Sequence, residues 1–257
     1  MEIKKEQKDG VCYLTFNRPD VYNAFNKSMA FSLQEALDAC EKDPAVRVIV
    51  LKGSGKAFCA GQDLAEIIDP EGPELKSIVG EHYNPIVSRI RNIEKPIIGA
   101  VNGVAAGAGA NIALACDIVF AKKSAAFIQA FSKIGLIPDS GGTYFLPRII
   151  GMQKAMALMM TGDKVFAEEA EALKMIYKAV EDDEFESSVE KFAQKLSIMP
   201  TRALGLTKKA VNQSFTNSMQ EQLDLEENLQ NEAGQTEDFQ EGVQAFMEKR
   251  PAQFKGK

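Results

Sequence analysis

Tryptophan is absent from the 257-residue sequence, which has one histidine and four cysteines. A single histidine cannot build a three-histidine metal site, and a Ser-His-Asp triad would have to use His82 itself. The cysteines have no CxxC spacing, so we interpret them as reduced and mostly buried, not as a disulfide framework or a metal cluster. They are Cys12, Cys40, Cys59 and Cys116. No bound metal is therefore predicted.

Long apolar runs and an excess of positive charge are also missing. No run reaches the ~20 residues that a membrane-spanning helix needs. Lys and Arg number 30 against 36 Asp and Glu, a net charge of −6, and an acidic surface disfavours non-specific nucleic-acid binding. Residues 1–9 are highly charged and lack the apolar segment of a signal peptide. We therefore expect a cytoplasmic protein that binds neither membranes nor nucleic acids.

The first 150 residues alternate short β-branched runs with helical patterns. Met29, Leu33 and Leu37 recur at helical spacing within residues 28–41, which predicts a helix. Four runs bounded by turn residues predict strands at residues 11–16, 46–52, 96–101 and 117–120. A repeated strand–helix–strand order favours an α/β layered core.

The stretch 69–80, DPEGPELKSIVG, contains two prolines and two glycines between better-patterned segments. Such punctuation is typical of loops, and we predict a mobile surface loop here. The pattern fits a lid over a site and a plain connector equally well.

The last 100 residues have helical periodicity, and from Thr201 onward the pattern is entirely helical. Thr201 is a candidate N-cap, Ser218 with Glu221 predicts a capping box, and Thr236 precedes an acidic first turn. We divide the chain into residues 1–200, a core with the site, and residues 201–257, a helical subdomain. The predicted helices cover residues 151–161, 167–175, 186–197, 201–214, 218–232 and 237–248.

Two segments rich in small residues follow predicted strands. Residues 56–64 read KAFCAGQDL, in which Ala60 and Gly61 would let the backbone approach a ligand closely. A plain strand-to-helix turn, with Asp63 capping the next helix, accounts for the same pattern. Residues 100–117 read AVNGVAAGAGANIALACD. A helix that begins there would point unpaired N–H groups at an oxygen that gains negative charge, although close helix–sheet packing is the alternative.

Asp139 is the candidate acid–base residue, and it lies in a Pro-Asp-Ser-Gly-Gly turn. A turn aspartate that caps the next helix is one interpretation. The other is a general base held between apolar neighbours such as Phe131 and Ile137, where desolvation would raise its pKa.

Four segments together are far more specific than any one alone. They read FNRPDVYNAF (residues 16–25), AFCAGQDL, AVNGVAAGAGANIALACDIVFA and IGLIPDSGGTYFLPRIIG. In this order and spacing the chain resembles the enoyl-CoA hydratase/isomerase (crotonase) superfamily from Gly10 to Lys257. The resemblance implies an α/β fold, a crotonase-type spiral of ββα repeats with a C-terminal helical trimerisation region. It also implies a homotrimer or hexamer.

The resemblance further implies where the catalytic groups lie. The family's oxyanion hole consists of two main-chain N–H groups, which fall at Gln62 and Ala108. Family hydratases add water with two glutamates, and their positions are Asn111 and Phe131 here. Asp139 stands where family isomerases and a dehalogenase have an aspartate. One carboxylate suffices to move a proton from one carbon to another, which favours isomerisation.

An acyl-CoA thioester is the substrate that the resemblance implies. Coenzyme A is part of that substrate, so no separate cofactor is expected. Arg18 is a candidate partner for a CoA phosphate. The other residues implied for CoA and substrate binding are Asn23, Ala24, Phe25, Ala60, Gly61, Asp63, Leu64, Gly109 and Phe131, with Phe254 and Lys257 reaching in from a neighbouring subunit.

The resemblance makes isomerisation the leading hypothesis: rearrangement of ring-1,2-epoxyphenylacetyl-CoA to an oxepin thioester, or migration of a double bond in an enoyl-CoA. An enoyl-CoA hydratase would need a second carboxylate that the motifs lack. An aryl-CoA dehalogenase would use Asp139 as nucleophile, but that relative has a tryptophan where Phe131 stands. A non-catalytic paralogue, including one that binds RNA, is disfavoured by the retained Asp139 and the acidic balance.

Overall fold

Two β-sheets organise the protein, whose computed structural model describes residues 1–257. The strands are β1 (Ile3–Lys8), β2 (Val11–Phe16), β3 (Val48–Gly53), β4 (Ala57–Cys59), β5 (Ile97–Val101), β6 (Val104–Ala106), β7 (Ile118–Lys122), β8 (Ala126–Ile128), β9 (Lys164–Phe166) and β10 (Lys178–Val180). The larger sheet has the order β1-β2-β3-β5-β7-β10 and is parallel apart from β1. The smaller has the order β4-β6-β8-β9, with β9 antiparallel.

Helices cover the sheets and form the C-terminal region. They are α1 (Lys27–Lys42), α2 (Leu64–Ile68), α3 (Leu75–Ser77), α4 (Asn84–Asn92), α5 (Ala108–Ala115), α6 (Gly142–Ile150), α7 (Met152–Thr161), α8 (Ala167–Ala172), α9 (Phe185–Ser197), α10 (Thr201–Gln213), α11 (Met219–Gly234) and α12 (Glu237–Glu248). A π-helical turn, Ile78–Tyr83, links α3 to α4. None of these helices combines the length and the apolar character that crossing a membrane requires.

Strand–strand–helix units repeat along the chain. In the units β3-β4-α2 and β5-β6-α5, the first strand joins the larger sheet and the second strand joins the smaller one. β7 and β8 continue the pattern, and corresponding strands of successive units pair in parallel. The units therefore stack as a spiral, in agreement with the ββα spiral that the family resemblance implies. The strands of the larger sheet are mostly buried because helices pack against it.

The sequence correctly predicted the strands with β-branched runs and missed several short ones. Residues 11–16 match β2, and the other three predicted strands overlap β3, β5 and β7 with shifts of one or two residues. The missed strands include β4 (AFC) and β6 (VAA), whose small residues carry little strand propensity.

The prediction of a mobile loop at residues 69–80 is wrong for its second half. A turn joins Asp69 to Gly72, and the chain then forms α3 and enters the π-helical turn. Ile78 is buried in the main core. Burial of this apolar side chain outweighs the Pro and Gly signal.

The C-terminal helices begin largely where the capping signals indicate. Ser218 and Glu221 form the predicted capping box, and Thr236 accepts a hydrogen bond from the N–H of Phe239. The prediction for Thr201 is wrong, because the preceding proline is the N-cap. The Thr201 hydroxyl instead accepts a hydrogen bond from Arg47 Nε at 2.8 Å.

A buried ion pair fixes α10 to the spiral. Lys208 Nζ lies 2.8 Å from Asp117 Oδ2 and also donates to the Ile90 carbonyl at 2.6 Å. Burial lowers the pKa of Lys208 and raises the pKa of Asp117. Removing Asp117 would leave the Lys208 charge without its ionic partner, whereas removing Lys208 would leave Asp117 with only one cationic partner, Arg91 Nη1, 3.3 Å from Asp117 Oδ1. The division of the chain at residue 200 stays a prediction.

Candidate active site

A cavity of about 210 Å³ lies where the two small-residue turns meet the loop that carries Asp139. Eleven of its 16 lining residues are hydrophobic. A mostly apolar wall with a few polar groups is typical of small-molecule sites. The lining residues are Ala60, Gly61, Gln62, Leu64, Ile67, Leu75, Ile78, Tyr83, Gly107, Ala108, Ala130, Phe131, Lys133, Ile134, Leu136 and Asp139.

Two main-chain N–H groups at the cavity, those of Gln62 and Ala108, have no acceptor within the protein. Ala108 is the first residue of α5, so its N–H has no intrahelical partner. Gly61 has a φ of +95°, and a Cβ there would lie 3.0 Å from the Ala106 carbonyl oxygen and 3.6 Å from Ala108 N. Glycine thus permits the two turns to approach. The arrangement offers two adjacent donors to one ligand oxygen.

The Gln62 turn is fastened to its neighbour by main-chain hydrogen bonds. Phe25 N–H donates to the Gly61 carbonyl at 2.7 Å, and Asp63 N–H donates to the Phe25 carbonyl at 2.8 Å. The Asp63 carboxylate caps α2 and accepts from Arg18 Nη2 at 2.9 Å. These contacts hold Gln62 from both sides while leaving its own N–H free.

Asp139 projects from a strained turn into this cavity. Ser140 and Gly141 both adopt positive φ, at 51° and 76°. Ser140 Oγ donates to Asp139 Oδ1 at 2.8 Å. Burial raises the pKa of Asp139 above its ordinary value, and the Ser140 hydrogen bond opposes that shift only in part. A carboxyl group with a raised pKa is suited to both accept and return a proton.

The Asn111 side chain holds the loop that carries Asp139. Its Nδ2 donates to the Asp139 carbonyl at 2.9 Å, and its Oδ1 accepts from Gln129 Nε2 at 2.8 Å. Asn111 is fully buried and does not line the cavity. At the second glutamate position of the family, Phe131 lines the wall. Asp139 is therefore the only carboxylate among the lining residues.

Of the residues predicted for the site, Gln62, Ala108, Asp139, Ala60, Gly61, Leu64 and Phe131 line the cavity. Ile137, predicted to be an apolar neighbour of Asp139, does not; its side chain is 81% exposed. The left-handed turn at Gly135 carries Leu136 to the cavity, and Ile137 follows on the outside.

The other residues predicted to bind CoA or substrate, apart from the two near the C-terminus, do not line the cavity. They make contacts within the protein instead. Asn23 is buried and donates to the carbonyls of Ser54 and Ala57. Gly109 packs on β4, where a Cβ would lie 2.4 Å from the Cys59 carbonyl oxygen. Ala24, Phe25 and Asp63 also lie outside the lining, and Arg18 is engaged by the Ala24 carbonyl, Asp63 and Glu2.

Phe254 and Lys257 do not line the cavity of their own chain. The Phe254 carbonyl accepts a hydrogen bond from Arg47 Nη1 at 2.8 Å, and the Lys257 carbonyl accepts from Asp238 N–H at 2.9 Å. Their predicted role in a neighbouring subunit's site stays a prediction.

Sequence reasoning missed two polar residues of the lining, Tyr83 and Lys133, and much of its apolar wall. Tyr83 closes the π-helical turn, five residues after Ile78. That spacing matches neither the helical nor the strand period. The only sequence feature that could have indicated a role for Tyr83 is its position immediately before Asn84 and Pro85, where a helix begins.

Comparison with known proteins identifies the family. A family model described as enoyl-CoA hydratase/isomerase matches residues 6–257. The chain belongs to the enoyl-CoA hydratase/isomerase family. The enoyl-CoA hydratase of Bacillus anthracis, 29% identical, superposes with a TM-score of 0.93 and each chain covers all of the other. The spiral is therefore the crotonase fold.

Two relatives carry different activities in their names. The chain is 48% identical to the 1,2-epoxyphenylacetyl-CoA isomerase of Escherichia coli, over 99% of this chain and 98% of that protein. It is 46% identical to a probable enoyl-CoA hydratase of Rhodobacter capsulatus, over 99% of this chain and 98% of that protein. Overall identity thus leaves isomerisation and hydration as the two candidate reactions.

Proposed function

We propose that this protein is an acyl-CoA isomerase that rearranges ring-1,2-epoxyphenylacetyl-CoA to an oxepin thioester and shifts double bonds in enoyl-CoA esters. One observation carries the proposal. A single carboxylate, Asp139, shares an apolar cavity with two unpaired main-chain N–H groups, those of Gln62 and Ala108. The similarity to a named epoxyphenylacetyl-CoA isomerase supports the same function.

In this mechanism the thioester oxygen accepts hydrogen bonds from the Gln62 and Ala108 N–H groups. Asp139 removes a proton from the carbon next to the thioester, and the electron pair of the broken C–H bond forms an enolate on the polarised carbonyl. Asp139 then returns the proton to a more distant carbon of the conjugated system. In the epoxide substrate, the ring carbon–carbon bond that the epoxide shares also breaks, and its electron pair enters the double bonds of the seven-membered oxepin. Water is neither consumed nor released, so one carboxylate completes the cycle.

The acyl end of the substrate would lie against the apolar wall. A cavity of about 150 Å³ can hold benzene, so the observed 210 Å³ is large enough for an aromatic ring. Leu64, Ile67, Leu75 and Ile78 form part of this wall. Side chains from the segment predicted to be a loop would therefore contact the acyl group.

A panel of CoA thioesters, including the ring epoxide, tests this function when products are identified by mass spectrometry. Isomerisation leaves the mass of the thioester unchanged and alters its retention and fragmentation. Conversion of the epoxide to an oxepin thioester of equal mass supports the proposal. Products heavier by one water across the panel would assign hydration instead.

Hydration is the second candidate reaction because a relative is named as a probable hydratase. Crotonyl-CoA is the substrate that tests for hydration directly. We expect little 3-hydroxyacyl-CoA, since Phe131 makes the wall apolar and an ordered water needs about 2–4 polar partners. Loss of the conjugated absorbance of crotonyl-CoA would report hydration. Phe131→Leu should leave that rate low, and brisk hydration by the unmodified protein would move the assignment to the hydratase.

We also propose that the protein is a homotrimer or hexamer through its C-terminal helices. Met219, Leu223, Phe246 and Met247 are exposed on α11 and α12, where apolar surface favours association. Leu229 of α11 is buried within its own chain and is not part of this surface. Light scattering coupled to gel filtration should give three or six times the 28.1 kDa chain mass. A 28.1 kDa species at micromolar concentration would contradict the assembly.

A further inference from the structure

Tyr83 is a polar cavity residue that the proposed mechanism does not use. Its side chain is 1% exposed, and it ends the π-helical turn Ile78–Tyr83. Turns of this kind are rare and occur frequently at functional sites.

The hydroxyl belongs to a directed chain of hydrogen bonds through the Gln62 side chain. Tyr83 Oη–H donates to Gln62 Oε1 at 2.7 Å, and Gln62 Nε2 donates to Glu66 Oε2 at 2.8 Å. Glu66 Oε1 in turn accepts from the Lys27 N–H at 2.8 Å. Because both ends of the Gln62 amide are engaged, its orientation is defined. Burial raises the pKa of Tyr83 well above its usual value, so the hydroxyl retains the proton that it donates.

The same tyrosine also supports the opposite side of the Gln62 turn. Its ring packs edge-to-face on Phe25, with the ring centroids 5.9 Å apart. The Phe25 backbone brackets Gln62 through its hydrogen bonds to Gly61 and Asp63. Tyr83 therefore contacts both the side chain of Gln62 and the residue that holds the main chain around it.

We propose that Tyr83 is a positioning residue that aims the Gln62 main-chain N–H at the thioester oxygen. The inference rests on the proposed function, in which that N–H binds the oxygen. A donor stabilises the developing charge only when it lies within hydrogen-bond distance of the oxyanion. A small displacement of the Gln62 turn therefore lowers the rate without closing the cavity.

Tyr83→Phe keeps the ring and removes only the hydroxyl group. We expect kcat to fall about 5- to 10-fold, the weight of one net hydrogen bond, with KM little changed. Gln62→Met, which removes the acceptor, should have a similar effect. The double variant should be no slower than Gln62→Met, because Gln62→Met already removes the Tyr83 contact and in addition loses the bond to Glu66. Tyr177→Phe is the matched control and should retain the wild-type rate, since Tyr177 is exposed and packs on Phe120 and Phe192.

A spectroscopic measurement without turnover separates positioning from direct contact with the substrate. Phenylacetyl-CoA labelled with carbon-13 at the thioester carbonyl is the probe. The stretching frequency of this carbonyl in the bound state reports its polarisation by the N–H donors. We expect a lower frequency on the wild-type protein than in water, and partial reversal in both Tyr83→Phe and Gln62→Met.

Two results would overturn the positioning role while leaving the proposed function in place. One is an unchanged carbonyl frequency in Tyr83→Phe. The other is additive rate losses in the double variant, which would place the tyrosine hydroxyl on the substrate itself. Absence of any frequency shift on the wild-type protein would instead contradict the oxyanion site, and with it both proposals.

Discussion

Asp139→Asn should lower turnover by about 10²- to 10⁴-fold, the usual contribution of a general acid–base group. Asparagine has nearly the same shape and can still accept the Ser140 hydrogen bond, but it cannot take up a proton. Because Asp139 is the only carboxylate that lines the cavity, no other carboxylate can substitute for it there. Single-turnover assays should show the loss in the chemical step, while the Kd of CoA stays nearly unchanged.

The pH dependence of kcat/KM, compared between the wild-type protein and Asp139→Asn, is a second test. In the proposed mechanism, Asp139 must be ionised to remove the first proton, and burial places its pKa above the ordinary value of 3.8. As pH falls through that raised pKa, the wild-type kcat/KM should decline, and the residual activity of Asp139→Asn should lack this acidic limb. Asp183→Asn, an exposed carboxylate before α9, is the matched control. Full activity in Asp139→Asn would remove this residue from the mechanism.

Ala108→Pro should reduce kcat by about 10²- to 10³-fold, the cost of deleting one oxyanion donor. Ala108 is the first residue of α5, and proline is tolerated at this position because the N–H there has no intrahelical partner. The substitution thus removes the N–H that we propose binds the thioester oxygen and adds no other break to the helix. Steady-state kinetics with an isomerisable enoyl-CoA would measure the effect.

Met152→Pro provides the matched control for this experiment. Met152 is also the first residue of a helix, α7, and also follows a glycine, but it is exposed and does not line the cavity. Its variant should retain wild-type kinetics, and both variants should melt cooperatively. If Ala108→Pro folds and isomerises at the wild-type rate, the Ala108 N–H does not bind the thioester oxygen.

The parts of the fold that sequence predicts best are those with a strong local pattern. β3 (VIVLKG) and β5 (IIGAV) are rich in β-branched residues, because parallel strands covered on both faces must be apolar. β1 (IKKEQK) is an edge strand with one buried residue, so its sequence has no apolar alternation to detect. Its strand structure comes from antiparallel pairing with β2, which the local pattern of β1 does not reveal.

In the candidate site, too, the residues with a strong local pattern were predicted and the others were not. Gly61, Gln62, Ala108 and Asp139 were predicted because they occur in motifs of small residues and turns that a family resemblance locates. Tyr83 was not, since a π-helical turn places it in the cavity. The role of Asn23 in binding stays a prediction, and its contacts show why such motifs are ambiguous. A conspicuous motif marks close packing as readily as ligand contact, and the Asn23 side chain ties two backbone carbonyls together.

The hydrogen bonds of Asn111 constrain how this site could evolve. Its side chain holds the main chain of Asp139, and a Cβ on Gly142 would lie 2.3 Å from Asn111 Nδ2. A glutamate at 111 would lose the amide donor and crowd Gly142, so gaining one carboxylate would disturb the other. Which residue the protein tolerates at position 111 therefore depends on the sequence of the loop that carries Asp139. A laboratory route from proton transfer to water addition therefore has to change residue 111 together with the Asp139 loop, because a glutamate at 111 alone would remove the amide that holds this loop.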